Sequence, residues 1–163
     1  MTISSGLDLD ALNSLTVEDA QRALMGVCAA PQWARSVAAG RPYGTVDELL
    51  AAADAALAQL PDREFDAALC GHPRIGERYA SGQSALEQSG VDEASRAALL
   101  AGNREYEERF GHVYLVCATG RTGEELLTTL HQRLGNDPAT ERRVVREELR
   151  KINRLRLEAL MRS

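Results

Sequence analysis

The chain has 163 residues, a formal net charge of −5 and only 4% aromatic residues. Its length fits one ordinary domain (residues 1–163) that buries well over half of the surface an unfolded chain exposes. The acidic balance argues against a nucleic-acid partner, since phosphate binding draws its affinity from clustered cations.

Ala and Leu dominate and β-branched residues are sparse, which points to an all-α, multi-helix bundle rather than a sandwich or barrel. Thr16 supplies an N-cap, and Val17, Ala20, Leu24, Val27 and Cys28 then recur at helical spacing. A short helix after Pro31 carries Trp33 and Val37 and ends at Gly40, where Arg41-Pro42 imposes an extended exit. Thr45 to Glu48 forms a capping box for the next helix, with Leu49, Leu50, Ala53, Leu57 and Leu60 on its inward face. Pro61-Asp62 restarts the chain into "REFDAALC", for which Gly71 fits the terminating position.

"HPRIGERYASGQ" has glycines, a proline and no periodicity, so a loop is predicted, followed by a short helix from Ser84. Asp92 caps a longer helix through Phe110, with Ala97, Leu100, Tyr106 and Phe110 as candidate core positions. "HVYLVCA", residues 112–118, has strand-like composition. One strand makes no sheet, so an extended segment inside an α fold is expected. Thr122 caps "GEELLTTLHQRL", Gly135 stops it, and Asp137-Pro138 opens a last helix running almost to the end.

No apolar run reaches the roughly 20 residues that span a bilayer, and "MTISSGLDLDALNSL" lacks the basic start and apolar stretch of a secretory signal. A soluble, cytoplasmic protein with no membrane partner is expected. Cys28, Cys70 and Cys117 are odd in number without CxxC spacing, and read as reduced, mostly buried thiols.

His72 is the first candidate for chemistry. Histidine titrates near neutral pH, at about 6.5 unperturbed, and gives or takes a proton under working conditions. Gly71 and Pro73 frame it, so it is either a solvated loop residue or a rigidly presented proton-transfer group. Ser84 to Gln88 reads as a capping box closed by Glu87, or as a helix N-terminus that seats a ligand with Glu87 as acid or base and Gln88 as amide reader. On the last helix Val145, Leu149, Ile152 and Leu160 share a stripe with Arg156 at its middle. That arginine either enters an ion pair or forks onto a carboxylate or carbonyl of a ligand. "GRTGEE" lacks the lysine of a phosphate loop, and no His, Asp and Glu spacing suggests a metal site.

In this order the pieces resemble the OHCU decarboxylase family, which acts on 2-oxo-4-hydroxy-4-carboxy-5-ureidoimidazoline in urate degradation. The motifs are Trp33 with Arg41-Pro42-Tyr43, His72-Pro73, Ser84-x-x-Glu87-Gln88, "RFGHVYLVCA", "RLGND" and "INRLRLEAL". The resemblance implies an all-α homodimer that needs neither metal nor organic cofactor and releases CO2 to give (S)-allantoin. It makes His72 the catalytic histidine, here paired with Glu87. It places substrate binding on Pro73, on Ser84, Ala85, Leu86, Glu87 and Gln88, on Tyr114, Leu115, Val116, Cys117 and Ala118, and on Arg156. Arg74-Ile75 stands where many relatives have Asp-Leu, and Tyr114 where Phe is common. The alternatives are a hydrolase of a related ureide, with His72 and Glu87 activating water, and a non-catalytic helical binding protein.

Overall fold

A computed structural model of the chain describes residues 7–70, 72, 74–76 and 87–162. Among them are eight helices and no strand, as the composition predicts. The chain divides into two compact units, Met1–Ala68 with Arg150–Ser163, and Leu69–Leu149.

The first unit opens with a helix absent from the sequence reading, α1 (Leu9–Ser14), capped by Asp8, whose carboxylate accepts from the Ala11 amide at 2.7 Å. Six residues are too few to display a period, and one inward residue, the fully buried Leu12, holds it. Its terminal carbonyls are served from afar: Arg41 Nη1 donates to Leu12 O and Leu15 O, both at 2.8 Å. α2 (Val17–Met25) starts at Thr16 as expected; Ala20, Leu24, Val27 and Cys28 are buried, whereas Val17 is 54% exposed. α3 (Pro31–Ala39) packs against both α2 and α4 (Val46–Ala58). Trp33 is wholly buried between them, its indole N–H donating to Ala53 O at 3.0 Å, so its apolar bulk and polar edge are both satisfied. All five inward positions expected of α4 and its exit are buried. Thr45 caps α4 as read, but the Glu48 carboxylate reaches back to the Gly44 amide at 2.8 Å. α5 is Asp62–Leu69. The end of the last helix joins this unit through Arg154, which meets Asp54 of α4 at 2.5 Å.

The second unit contains α6 (Glu93–Phe110), α7 (Gly123–Leu134) and the start of α8 (Pro138–Met161). The inward face of α6 departs from expectation. Of the expected positions Tyr106 is buried, but Ala97 is exposed and Leu100 and Phe110 are half-buried, while Leu99, Gly102 and Asn103 face inward beside Tyr106. Leu99 and Leu100 lie about 100° apart on the wheel, and polar Asn103, one turn on, disguises the true face. Gly102 explains the rotation: a Cβ there would overlap the Leu130 side chain of α7, so a hydrogen is what lets the two helices close. α6 ends at Gly111, whose φ of +79° is a left-handed cap that other residues adopt poorly. Ile75, Leu99, Tyr106, Tyr114, Val116, Ala118, Leu126 and Leu130 form the core.

Gly102→Ala should therefore destabilise by about 1–2 kcal/mol despite the better helix propensity of Ala, and Leu130→Ala by about 2–5 kcal/mol. In urea denaturation the double variant should lose at least about 1 kcal/mol less than the sum of the two; strict additivity would show that the two positions do not share this space.

Candidate functional site

The loop bearing His72 begins where α5 stops. The His72 amide donates to Leu69 O at 3.1 Å, which folds the chain back over the helix end, and the residue is half-buried. The three following described residues are fastened one by one. Arg74 forms a two-pronged ion pair with Glu107 of α6, at 2.7 and 3.3 Å. Ile75 is buried in the core, and its carbonyl accepts from the buried Asn103 carboxamide at 3.0 Å. The Gly76 amide donates to Gln88 Oε1 and its carbonyl accepts from Arg96, each at 3.0 Å. At Gly76, φ is +93° and a Cβ would crowd Arg96 O and Leu99 at 3.3 Å, so glycine is required twice over. The Arg74-Ile75 pair, a departure from many relatives by the sequence resemblance, thus supplies a surface ion pair and a core side chain.

Gln88, expected to read substrate, spends its carbonyl on the Gly76 amide. Its Nε2 stands 3.5 Å from Arg74 O, at the limit of a hydrogen bond. Glu87 is half-buried in the same unit. Pro73, Ser84, Ala85 and Leu86, together with Gly71 and the start of the short helix expected there, lie outside the described residues.

Residues 113–118 are neither helix nor strand. Tyr114, Val116 and Ala118 belong to the core cluster, whereas Leu115 is buried outside it and Cys117 is half-buried. Side chains alternating at period 2 are the mark of extended chain, as the sequence predicts. The Leu115 carbonyl accepts from Arg133 Nη1 at 2.6 Å, and the Cys117 amide donates to Glu148 Oε1 at 3.2 Å. Backbone groups of alternate residues share an edge, so the N–H and C=O of Val116 turn to the opposite one.

Behind this run lies a charged core that sequence reasoning missed. Arg133 and Glu141 are 5% and 0% exposed, joined through Nε at 2.7 Å and Nη2 at 2.5 Å. Tyr106 donates to Glu141 Oε1 at 2.5 Å, Asn136 to Oε2 at 3.0 Å, and the guanidinium lies 4.8 Å from the Tyr114 ring centre. Burial weakens the hold of Arg133 on its proton, but Glu141, with the two tyrosines, more than offsets this and holds it more firmly than usual. Burial, reinforced by the Glu141 hydrogen bond, pushes the Tyr106 phenol far up; burial does the same to Tyr114 against the pull of Arg133. Both phenols stay neutral at physiological pH. Spacing carried a faint signal, since Arg133 lies in the last turn of one helix and Glu141 in the first turn of the next, either side of the "GND" turn.

Arg156 belongs to the other unit. The buried stripe of α8 drifts from Val145, Leu149 and Ile152 to Asn153 and Leu157, which leaves Arg156 half-buried at its border, with Nη1 donating to Val27 O at 3.0 Å. The neighbouring Cys28 thiol is raised by burial, partly offset by Asn153 and the Arg156 charge, so it stays protonated near neutrality. Cys70 is exposed, against expectation. Among the described residues no three or more His, Cys, Asp and Glu side chains cluster as metal ligands.

An all-helical protein with a histidine-bearing loop after α5 and a hydrogen-bonded extended run is the class these features define. The chain belongs to the OHCU decarboxylase family, whose model matches residues 13–158 and so runs through both units. It is 31% identical to the 2-oxo-4-hydroxy-4-carboxy-5-ureidoimidazoline decarboxylase of Amia calva over 166 aligned positions, 95% of each chain. It is 27% identical to the uric acid degradation bifunctional protein TTL of Arabidopsis thaliana, covering 82% of this chain and 44% of that one. A crystal structure of OHCU decarboxylase in the presence of (S)-allantoin superposes with a TM-score of 0.78 at 25% identity, covering 86% of this chain and 98% of the other. A crystal structure of (S)-allantoin synthase shares the fold, with a TM-score of 0.76 at 19% identity over 95% of this chain and 54% of the other.

Because Gln88 acts on Gly76 as an acceptor, Gln88→Glu should preserve the slow amide exchange of Gly76, while Gln88→Ala should speed it about fivefold, the worth of roughly 1 kcal/mol. Hydrogen exchange read at that amide checks this, and equal exchange in all three proteins would remove Gln88 from the loop's support.

Proposed function

We propose that this chain is a carboxy-lyase that decarboxylates 2-oxo-4-hydroxy-4-carboxy-5-ureidoimidazoline to (S)-allantoin in urate degradation. The observation that carries the reading is the family match across residues 13–158, joined to the likeness with the Amia calva decarboxylase over 95% of both chains. The chemistry agrees with the expectation of no added cofactor. Most decarboxylases borrow an electron sink, but here a C=N bond adjoins the carbon that loses CO2. As the C–C bond breaks, its electron pair forms a C=C bond to the neighbouring ring carbon, and the C=N pair moves onto nitrogen, which takes a proton. The enol so formed then loses its hydroxyl proton as the ring carbonyl forms, while a proton is delivered to one face of the neighbouring carbon.

His72 is the group for these proton transfers, poised by Glu87; its tethered loop suits a task that needs fixed geometry. Arg156 holds a ring or ureido carbonyl with its planar donors. A cation placed off the scissile carboxylate favours departure as neutral CO2. Gln88 offers Nε2, and of the run Tyr114, Leu115, Val116, Cys117 and Ala118 the Val116 N–H and C=O serve the flat heterocycle, the Ala118 carbonyl being engaged by the Arg121 amide at 3.0 Å. Pro73, Ser84, Ala85 and Leu86 are the remaining substrate-binding positions that the family resemblance implies. The enzyme works as a homodimer, a reading taken from the family resemblance, and in the cytoplasm, the expectation from the sequence pattern; no described helix is long and apolar enough to cross a membrane.

The substrate is generated in place from urate and allantoin is followed by circular dichroism. The protein should speed the appearance of the (S) signal, with release of CO2; decay at the spontaneous rate to racemic product, or ring opening without CO2, would overturn the reading. His72→Asn, folded, should lose about 10²–10⁴-fold in kcat.

A further inference from the structure

An extended run without a sheet has a physical problem, because its backbone N–H and C=O groups still need partners when buried. Here two side chains take the place of a neighbouring strand. Arg133 Nη1 meets the Leu115 carbonyl at 2.6 Å and Glu148 Oε1 meets the Cys117 amide at 3.2 Å. Residues 115 and 117 present these groups on one edge of the run. The side chains are charged, and Arg133, Glu141 and Glu148 are 5%, 0% and 6% exposed.

Such burial needs a reason. Apolar side chains of similar volume commonly serve a core as well as a buried ion pair. They cannot, however, bond a backbone edge. Arg133 is itself immobilised on three sides: by Glu141 at 2.5 and 2.7 Å, by the Tyr114 ring beneath it at 4.8 Å, and through Glu141 by the Tyr106 hydroxyl and the Asn136 carboxamide. An acceptor fixed to helix α8 and a donor fixed to helix α7 therefore set both the height and the rotation of the run.

We propose that Arg133 and Glu148 are positioning residues for the decarboxylation, holding the 115/117 edge so that the Val116 edge faces the substrate. This rests on the reading that residues 114–118 line the site. The role is geometric: neither residue touches the reacting atoms, and each acts through the backbone it holds.

The test compares three variants of the full chain for kcat, KM, thermal midpoint and calorimetric affinity for (S)-allantoin. Glu148→Gln keeps an oxygen to accept from Cys117 and should stay within about twofold of wild type, whereas Glu148→Leu should weaken both KM and (S)-allantoin affinity about tenfold, as expected for losing one hydrogen bond to a charged group. Arg133→Met with Glu141→Leu leaves neither charge of that pair without its partner and should weaken affinity likewise, so it carries the test if Glu148→Leu does not fold. A folded Glu148→Leu or double variant with unchanged KM and affinity overturns the proposal, as does Glu148→Gln as impaired as Glu148→Leu. A purely structural role would move the thermal midpoint and leave KM alone. An inactive wild-type protein fails the functional reading itself, whereas an active one with indifferent variants fails only this proposal.

Discussion

The second unit depends on the buried pair of Arg133 and Glu141. One guanidinium links the last turn of α7 to the first turn of α8 and to the Leu115 carbonyl, while the carboxylate gathers Tyr106 from α6 and Asn136 from the connecting turn. Neither charge is tolerable by itself in a core: removing one partner of a buried pair costs about 3–5 kcal/mol, mostly for the ion left behind. The helices around the pair are thereby committed to one relative register, and the extended run is committed with them.

From that frame the chain builds two backbone surfaces of different kinds. The His72 loop is held by helix side chains that bind its carbonyls and amides: Asn103 and Arg96 from α6, and Gln88 from the short turn before it. The ion pair of Arg74 with Glu107 adds little, since its two side chains are 48% and 24% exposed and such pairs are worth about 0–1 kcal/mol. The buried Ile75 and the close approach at Gly76 matter more, because a loop pinned into a core cannot drift. Both surfaces therefore rest on side chains that touch backbone.

Local signals were easy to read. Thr16, Thr45, Asp92 and Thr122 each cap the helix that the sequence assigns them, because a side-chain oxygen two or three residues from a free amide acts within its own neighbourhood. The extended character of residues 112–118 was legible in the β-branched and aromatic composition. The inward face of α6 was not. Adjacent leucines at 99 and 100 offer two faces, and the choice between them belongs to Gly102 and Leu130, which are 28 positions apart in the chain. Val17 and Arg156 were likewise misjudged in depth, as helical period gives a direction and not the distance to the next helix.

The sequence by itself determined the all-α class, most helix boundaries, the family, and the candidacy of His72, Glu87 and Arg156, because caps, periodicity and ordered motifs are properties of neighbouring residues. Only the tertiary structure decided that Gln88 supports Gly76, that Arg41 serves the end of α1, and that Arg133 and Glu148 hold the 115/117 edge. The partners of those bonds lie 12 to 31 positions apart. Over such separations nothing in the local pattern names the acceptor, and a buried backbone group takes whichever polar side chain the packed fold brings to it.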